Sequence, residues 1–306
     1  MNAGLLLAAG IATCIGLAFA SQAQAQDIEP RTYSNAPVGV NFLIGGYAYT
    51  RGALQFDSAL DLTDAHLKTW NAVLGYARVF ALGGKAATLD VIVPYTGLSG
   101  TAVYQGDPVE RNVNGFANPA MRLCWNFYGA PALALDEFRG WQQDVVVGAS
   151  LRVSAPWSQY DAGRLVNIGT NRWSFKPEIG ISKTAGPWTL EASAAATFFT
   201  VNTDFFGGNR REQDPLYSVQ GHVIHGFAGG SWISVDATFF AGGRTTFNGV
   251  LKADLQQNWR AGATYAMPVD RRNSIKLYVS SGLSDRTGNS FDLVGIAWQH
   301  RWGGGL

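Results

Sequence analysis

Apolar and polar residues alternate along most of the chain in stretches of about ten residues. Residues 173–182 show the pattern clearly, with Trp, Phe, Pro, Ile and Ile at odd positions and Ser, Lys, Glu, Gly and Ser at even positions. Because successive side chains of a β-strand point to opposite faces, this alternation predicts strands with one apolar face and one polar face. About 12 such stretches recur, near residues 40–51, 68–80, 86–95, 116–128, 143–154, 173–182, 188–200, 215–225, 231–241, 257–267, 274–282 and 291–302.

The connections between these stretches alternate in length. Short ones such as "ALGGK", "KTAGP", "GFAGG" and "PVDRRN" alternate with longer ones, although "GAPALALDEFRG" is a longer exception among the short set. Membrane barrels combine short periplasmic turns with long external loops. Both termini are therefore predicted to be periplasmic. The long connections lie near residues 52–66, 97–115, 155–171, 202–213, 242–255 and 283–289.

An apolar outer face suggests a lipid environment, where only helices and closed barrels satisfy every backbone group. Beyond the N-terminus the sequence has no run of about 18 apolar residues, which a transmembrane helix would need. The sequence therefore predicts an all-β fold, a transmembrane antiparallel up-and-down β-barrel of about 12 strands over residues 40–306. A soluble β-sandwich also alternates, but its outer face would carry many more charges.

The N-terminus is typical of a secretory signal peptide over residues 1–25. An uncharged apolar region at residues 5–20 precedes a small-x-small cleavage site at Ala23-Gln24-Ala25, although no Lys or Arg comes before it. Export to the bacterial outer membrane follows from this prediction. Residues 26–39 are expected to form an N-terminal periplasmic segment, and the sequence leaves open whether it enters the barrel.

The composition excludes several classes of function. Charged residues make up 15 % of the chain and nearly balance at a net charge of +1, so no basic excess is present to neutralise the phosphates of a nucleic acid. After signal cleavage, Cys124 is the one remaining cysteine, which rules out an intramolecular disulfide and a cysteine metal site. No metal or cofactor is predicted.

The polar phase of the strands supplies the predicted lumen-lining residues. Acidic and basic side chains balance there, whereas a strongly ion-selective pore would carry one sign. A balanced set favours ion pairs between neighbouring strands that narrow the lumen. These charges either fill the lumen or also shape a substrate path. The predicted lining comprises Asp90, Arg122, Asp144, Arg152, Lys176, Glu178, Glu191, His222, Asp236, Arg260 and Lys276.

The sequence gives little support for an enzyme. It contains no G-x-S-x-G and no H-E-x-x-H motif. His222 and His225 are three residues apart on a predicted strand, so they point to opposite faces and cannot form a metal pair without a bulge. His222 shares a face with Ser218, but this pair is better explained as hydrogen-bonding groups in the lumen than as part of a catalytic site. No catalytic residue is predicted.

Loop phenylalanines are candidates for a substrate mouth. The segment "FFTVNTDFFGG" runs from a predicted strand into an external loop and carries Phe198, Phe205 and Phe206, and Phe247 lies in another long loop. These rings could form a hydrophobic entrance for aromatic or alkyl solutes. Most other aromatic residues fit the interfacial girdles of a membrane barrel.

Pro119 and Pro177 each remove a backbone donor inside a predicted strand. Each therefore predicts a local break or bulge. The sequence leaves open whether these breaks are tolerated twists or sideways openings in the wall.

Several stretches resemble the phenol meta-pathway degradation family, whose members are regarded as outer-membrane transporters. The stretches are "YAYTRGALQFDSALDLTDAHL", "LGYARVFALGGKAATLDVIVPYTG", "QYDAGRLVNIGTNRWSFKPEIG" and "NPAMRL". The resemblance spans residues 36–302 and is most specific over 159–180. It implies an outer-membrane barrel, associated with aromatic-compound catabolism, that admits hydrophobic substrates. It carries over no catalytic or binding residues. One departure is that "GGGL" follows Trp302, where such barrels end on an aromatic residue.

The sequence thus predicts an outer-membrane channel for passive uptake of small hydrophobic, aromatic compounds. Its expected partners are outer-membrane lipid, a small hydrophobic solute and the barrel-assembly machinery, with no nucleic acid and no cofactor. The alternatives are a general hydrophilic porin, a closed structural or surface-binding barrel, and an outer-membrane enzyme.

Overall fold

The computed structural model describes residues 28–54, 62–164, 166–284, 286 and 289–306. Within these residues twelve strands form a closed antiparallel barrel, in which each strand pairs with its neighbours along the chain. The predicted signal peptide lies outside the described residues. The wall strands are β1 (Val40–Leu54), β2 (Leu62–Leu82), β3 (Lys85–Tyr104), β5 (Ala120–Tyr128), β6 (Val145–Ser154), β7 (Ser174–Ala185), β8 (Trp188–Phe199), β11 (Leu216–Gly226), β12 (Trp232–Gly242), β15 (Gln256–Pro268), β16 (Asn273–Ser284) and β17 (Asn289–Gly303).

The barrel closes where the first strand pairs with the last. Strands β1 and β17 are in register from Val40↔Gly303 to Leu54↔Asn289. Closure removes the exposed strand edges that a sheet in lipid could not satisfy. The predicted up-and-down barrel of about 12 strands is confirmed. We call the end of the barrel that holds Val40 and Gly303 the turn end, and the opposite end the long-loop end.

The outer face of the wall is apolar. Alternate positions of every wall strand expose large hydrophobic side chains, while the intervening positions are buried inside the barrel. An apolar band of this kind matches the hydrocarbon core of a membrane. Among the described residues, no helix has the length and apolar character to cross a membrane. The exposed band includes Tyr47, Leu74, Val91, Leu123, Ile179, Leu190, Val219, Val235, Trp259, Val279 and Ile296.

The long-loop end contains more regular structure than the sequence predicts. Residues 97–115, expected to be a loop, form the upper half of β3 and an additional strand, β4 (Asp107–Phe116), which pairs with it. Alternation fails to reveal β4 because its outward positions carry Glu and Asn rather than apolar residues. A separate small sheet consists of β9 (Asn202–Phe205), β10 (Asn209–Gln213), β13 (Thr245–Phe247) and β14 (Val250–Leu251).

An inward-folded connection covers the turn end. Residues 129–144 join β5 to β6 and contain the short helix α1 (Leu135–Phe138). Leu135 and Phe138 are buried against Val40, Phe42 and other residues of the first two strands. This connection is the long exception among the predicted short turns, and its packing explains the extra length.

Candidate functional site: the barrel lumen

An N-terminal segment lies inside the barrel. Residues 28–38, which we call the plug, precede β1 and are almost entirely buried. The Asn35 amide group donates to the Pro131 carbonyl at 3.1 Å, and the Val38 N–H donates to the Leu133 carbonyl at 2.9 Å. The sequence left open whether the N-terminal segment enters the barrel, and in the structure its described part occupies the lumen.

Glu29 is the electrostatic centre of the plug. Its carboxylate accepts from Arg152 at 2.6 Å and pairs with Arg122, and Arg122 also donates to Asp90 at 2.9 Å. All four side chains are buried. Because an uncompensated charge in such a site is costly, these contacts bind the plug tightly to β3, β5 and β6.

Tyr33 fixes the middle of the plug. Its hydroxyl donates to Glu178 at 2.9 Å, and its ring lies over Gly148 and Gly180. A Cβ atom at either glycine would overlap the ring or its immediate neighbours. The two glycines therefore form the slot that admits the tyrosine.

Most of the predicted lumen-lining residues lie on the inner face. Asp144 is the exception, because it precedes β6 at the turn end, pairs with Lys183 and keeps 77 % of its side chain exposed. Its placement in the lumen was wrong, since the alternation runs one residue beyond the start of the strand. The inward residues are Asp90, Arg122, Arg152, Lys176, Glu178, Glu191, His222, Asp236, Arg260 and Lys276.

The inward charges pair partly as expected. Asp90 and Arg122 are directly opposite on neighbouring strands, and so are His222 and Asp236, whose Nδ1 and Oδ1 atoms are 2.7 Å apart. Lys176, in contrast, lies 3.5 Å from Glu178 of its own strand. The remaining acceptor capacity of Glu178 is taken by the plug rather than by an adjacent strand.

The polar groups around Asp236 do not assemble a catalytic relay. Ser234 donates directly to Asp236 at 3.0 Å, so its hydroxyl bonds to the carboxylate and not to His222. A nucleophilic serine would need the imidazole as its base. Among the described residues, no group of three His, Cys, Asp or Glu side chains has the arrangement of a metal site.

One wall of the interior is apolar, which the sequence-based prediction of a polar lumen missed. The described inward positions of β1 and β2 carry no charged side chain. Three clusters of inward residues follow one another along this wall, linked by Leu293 and Tyr278, and we call them together the apolar stripe. The stripe comprises Leu67, Leu98 and Phe291, then Ala48, Val73, Ile92 and Ala120, then Phe42, Ile44, Ala77, Val79 and Ala297.

A small neutral network lies within this stripe. The hydroxyls of Thr50 and Thr69 are 2.5 Å apart, Asn71 donates to Thr69 at 3.2 Å, and Thr96 donates to Asn71 at 2.8 Å. The side chains of Thr and Asn are uncharged, so the network places no net charge on the wall. Its polar groups are satisfied by one another. The charged residues are concentrated on β5 to β15.

A cavity opens at the long-loop end, above the apolar stripe. Its volume is about 230 Å³, and Leu67, Ala102, Val109, Val166 and Phe206 contribute apolar side chains to its lining. The β3–β4 hairpin forms one side, and the connection between β6 and β7 and the turn between β9 and β10 form the other.

Arg111 supplies the principal polar group of this cavity. Its Nε donates to the Val166 carbonyl at 3.1 Å. Burial lowers the pKa of Arg111, the neighbouring Arg164 lowers it further, and Asp161 partly opposes both effects. The group remains charged because the usual pKa of arginine is above 12. The outward residues on either side of Arg111 in β4, Glu110 and Asn112, are polar, which places Arg111 beyond the lipid band.

The four predicted mouth phenylalanines have different environments. Phe206 lines the cavity, and its ring meets Tyr104 edge-on at 6.3 Å. Phe205 is buried against Phe247, with ring centroids 5.8 Å apart, inside the small sheet. Phe198 is exposed on the outer face of the wall. The structure thus places Phe206 at the cavity. Phe205 and Phe247 pack against each other, and Phe198 lies on the outer face.

The two prolines mark irregularities in the wall. Pro119 lies between β4 and β5, so the strand that faces β3 is interrupted there. The β7–β8 register runs to Phe175↔Phe198 and resumes at Glu178↔Ala195, on either side of Pro177. The Ala155 N–H donates to the Pro119 carbonyl at 3.0 Å, and the connection between β6 and β7 thereby covers the first break.

A family model described as "Putative MetA-pathway of phenol degradation" matches residues 34–299. The chain belongs to this family. The match extends from the plug to the last strand and includes the residues of both the apolar stripe and the charged wall. Membership in the phenol-degradation family confirms the resemblance found in the sequence. No curated protein matches the chain.

Solved structures support the barrel architecture of this family member. The COG4313 outer membrane channel from Pseudomonas putida F1 is similar with a TM-score of 0.72 at 16 % identity, over 90 % of this chain and 100 % of that chain. The beta domain of the Bordetella autotransporter Brka is similar with a TM-score of 0.51 at 10 % identity, over 86 % and 99 %. At these identities the likeness concerns the fold.

Sequence reasoning missed the residues that close the lumen of this family member. Glu29 and Tyr33 lie in an irregular segment, and their partners Arg122 and Glu178 are 93 and 145 positions away. One available signal was the pair Gly148 and Gly180, which interrupt the inward phase of adjacent strands and face each other in register. Facing inward glycines indicate close approach of another group.

Proposed function

We propose that the protein is an outer-membrane channel for the passive uptake of small hydrophobic compounds, with aromatic compounds as the substrate class. The observation that carries the proposal is the apolar stripe. The lumen of a general porin is polar. An inner wall free of charge over two neighbouring strands instead offers a hydrophobic solute a surface that costs no desolvation of ions.

The charged wall and the plug argue against a general hydrophilic pore. The ion pairs of Glu29 with Arg122 and Arg152 occupy the centre of the lumen. A free aqueous path would require this segment to move. The similar protein from Pseudomonas putida F1 is called an outer membrane channel, which agrees with a channel role.

The orientation follows from the loops. The long-loop end faces the cell exterior, and the turn end, with both termini and the inward-folded α1, faces the periplasm. The exposed apolar band contacts outer-membrane lipid, and Trp302, exposed near the end of the chain, supplies an aromatic group for recognition by the barrel-assembly machinery. These assignments rest on the architecture common to bacterial outer-membrane barrels.

The plug also favours one rival, a closed barrel with a structural or surface-binding role. The two functions differ in transport. Cells with an intact lipopolysaccharide layer should take up labelled ethylbenzene faster when they produce the protein, at equal surface expression of an unrelated closed barrel in the control cells. An uptake rate equal to that of the control cells would support the closed barrel and contradict the channel.

A further inference from the structure

We propose that the cavity at the long-loop end is a binding site for a single aromatic ring that carries one hydrogen-bond-accepting oxygen, such as a phenol. The ring would lie against Phe206 and Leu67, with the oxygen towards Arg111. This inference rests on the proposed function, for which it supplies the site of first contact and the substrate class.

The volume and lining of the cavity suit one ring. An apolar cavity of about 150 Å³ lined by aliphatic and aromatic side chains stays dry and binds benzene. The cavity here is larger, at about 230 Å³, and leaves room for a substituent. The size thus suits a single ring with a small substituent.

Phe206 is held in place before any solute arrives. The Gly207 N–H donates to the Ala162 carbonyl at 2.8 Å, and the Tyr160 hydroxyl donates to the Asp204 carbonyl at 3.0 Å. These bonds join the β9–β10 turn to the connection between β6 and β7. Phe206 itself has a φ of +21°, a backbone conformation that bulky residues rarely adopt. Residues kept in such conformations are concentrated at ligand sites.

Arg111 gives the cavity its preference for oxygen. Its Nε is used by the Val166 carbonyl, which orients the guanidinium group at the cavity edge. In the described part of the chain Arg111 forms no ion pair, whereas its neighbour Arg164 lies 3.8 Å from Asp161. Glu110 also lines the cavity. The guanidinium group can therefore donate to a phenol oxygen, and the carboxylate of Glu110 disfavours a solute that is itself an anion.

The cavity leads towards the channel. Leu67 belongs both to its lining and to the first cluster of the apolar stripe, together with Leu98 and Phe291. A solute in the cavity is thus separated from the interior by an apolar layer rather than by charges. Arg260, whose guanidinium lies 3.7 Å above the Phe291 ring, is the first cation below this layer.

Fluorine NMR of 4-fluorophenol with the full-length protein in lipid nanodiscs tests the site, with fluorobenzene as the probe that lacks the oxygen. Ala102→Phe, which fills the cavity from β3, should weaken 4-fluorophenol binding about ten-fold or more. Val103→Phe, on the opposite face of the same strand, is the matched control and should leave binding unchanged. Arg111→Gln, which removes the guanidinium group, should lower the preference for 4-fluorophenol over fluorobenzene without closing the cavity.

Each outcome is decisive. Equal binding by Ala102→Phe and Val103→Phe would overturn the cavity assignment, even if the wild-type protein transports aromatic solutes. Loss of binding in Ala102→Phe alone supports the site, even if transport fails and the channel function is wrong. An unchanged preference in Arg111→Gln, with cavity binding intact, would overturn the role assigned to Arg111.

Discussion

At the scale of single residues, the fit between Tyr33 and its two facing glycines controls the closed state. The Tyr33 ring occupies the space that a side chain at Gly148 or Gly180 would need. The contact is made in the interior of the barrel, where side chains pack without slack. Closure therefore depends on having glycine rather than alanine at both positions.

Gly180→Ala should displace Tyr33 and loosen the plug. The inserted methyl group costs about 1–3 kcal/mol of packing, which corresponds to a rise of about five-fold to 150-fold in the population of the displaced plug. Single-channel recordings should show more frequent ion-conducting openings than in the wild type. Gly221→Ala is the control, because nothing lies within 4 Å of a Cβ atom there. Equal recordings for the two variants would show that the tyrosine does not limit the lumen.

At the scale of elements, the strands of the barrel differ in the chemistry of their inner faces. β1 and β2 present uncharged residues inward, and β5 to β15 present charges. The outer faces are alike on all of them, since lipid surrounds the whole barrel. The asymmetry therefore reflects what the lumen holds. The charged groups of the plug contact the charged side, whereas its apolar residue Ala36 and helix α1 pack on the turn-end part of the apolar stripe.

Val73→Thr should lower the uptake of hydrophobic solutes. Val73 is buried in the stripe. Threonine has nearly the same size as valine, but its hydroxyl group binds water on a surface that is apolar in the wild type. We expect a loss of about three-fold in the initial rate of ethylbenzene uptake. Thr238→Val, on the charged wall, is the reverse isosteric change. The Thr238 hydroxyl is buried and has no hydrogen-bond partner among the described residues. This variant should leave the rate of ethylbenzene uptake unchanged. Equal losses in both variants would remove the stripe from the transport route.

The strands could be predicted from the sequence because the surrounding lipid requires an apolar outward face on every wall strand. Residues 173–182 illustrate this requirement, since Phe175 and Ile179 are exposed and Lys176 is buried as the alternation requires. The plug could not be predicted, because Glu29 and Tyr33 depend on partners far along the chain. Strand β4 and the cavity beside it were not predicted for a related reason. This part of the molecule lies beyond the lipid, so its outward residues do not need to be apolar.

At the scale of the whole molecule, the barrel combines a cavity at the long-loop end, an apolar stripe along one wall and a plug that lies against the charged wall and against the turn-end part of the stripe. The order of these parts suits a solute that binds at the outer end, moves along the stripe and passes the plug near the turn end. We expect no comparable path for sugars, because Arg122 and Arg152 of the charged wall are held by Glu29 of the plug.

The most direct test is a paired permeability measurement on proteoliposomes with a lipopolysaccharide outer leaflet, which compares an alkylbenzene with a small sugar under equal gradients. Protein-free vesicles give the background, because alkylbenzenes cross bare lipid unaided. The account predicts alkylbenzene entry clearly above this background and no swelling in the sugar. Entry of the sugar would indicate a general pore, and alkylbenzene entry no faster than in protein-free vesicles would contradict the channel.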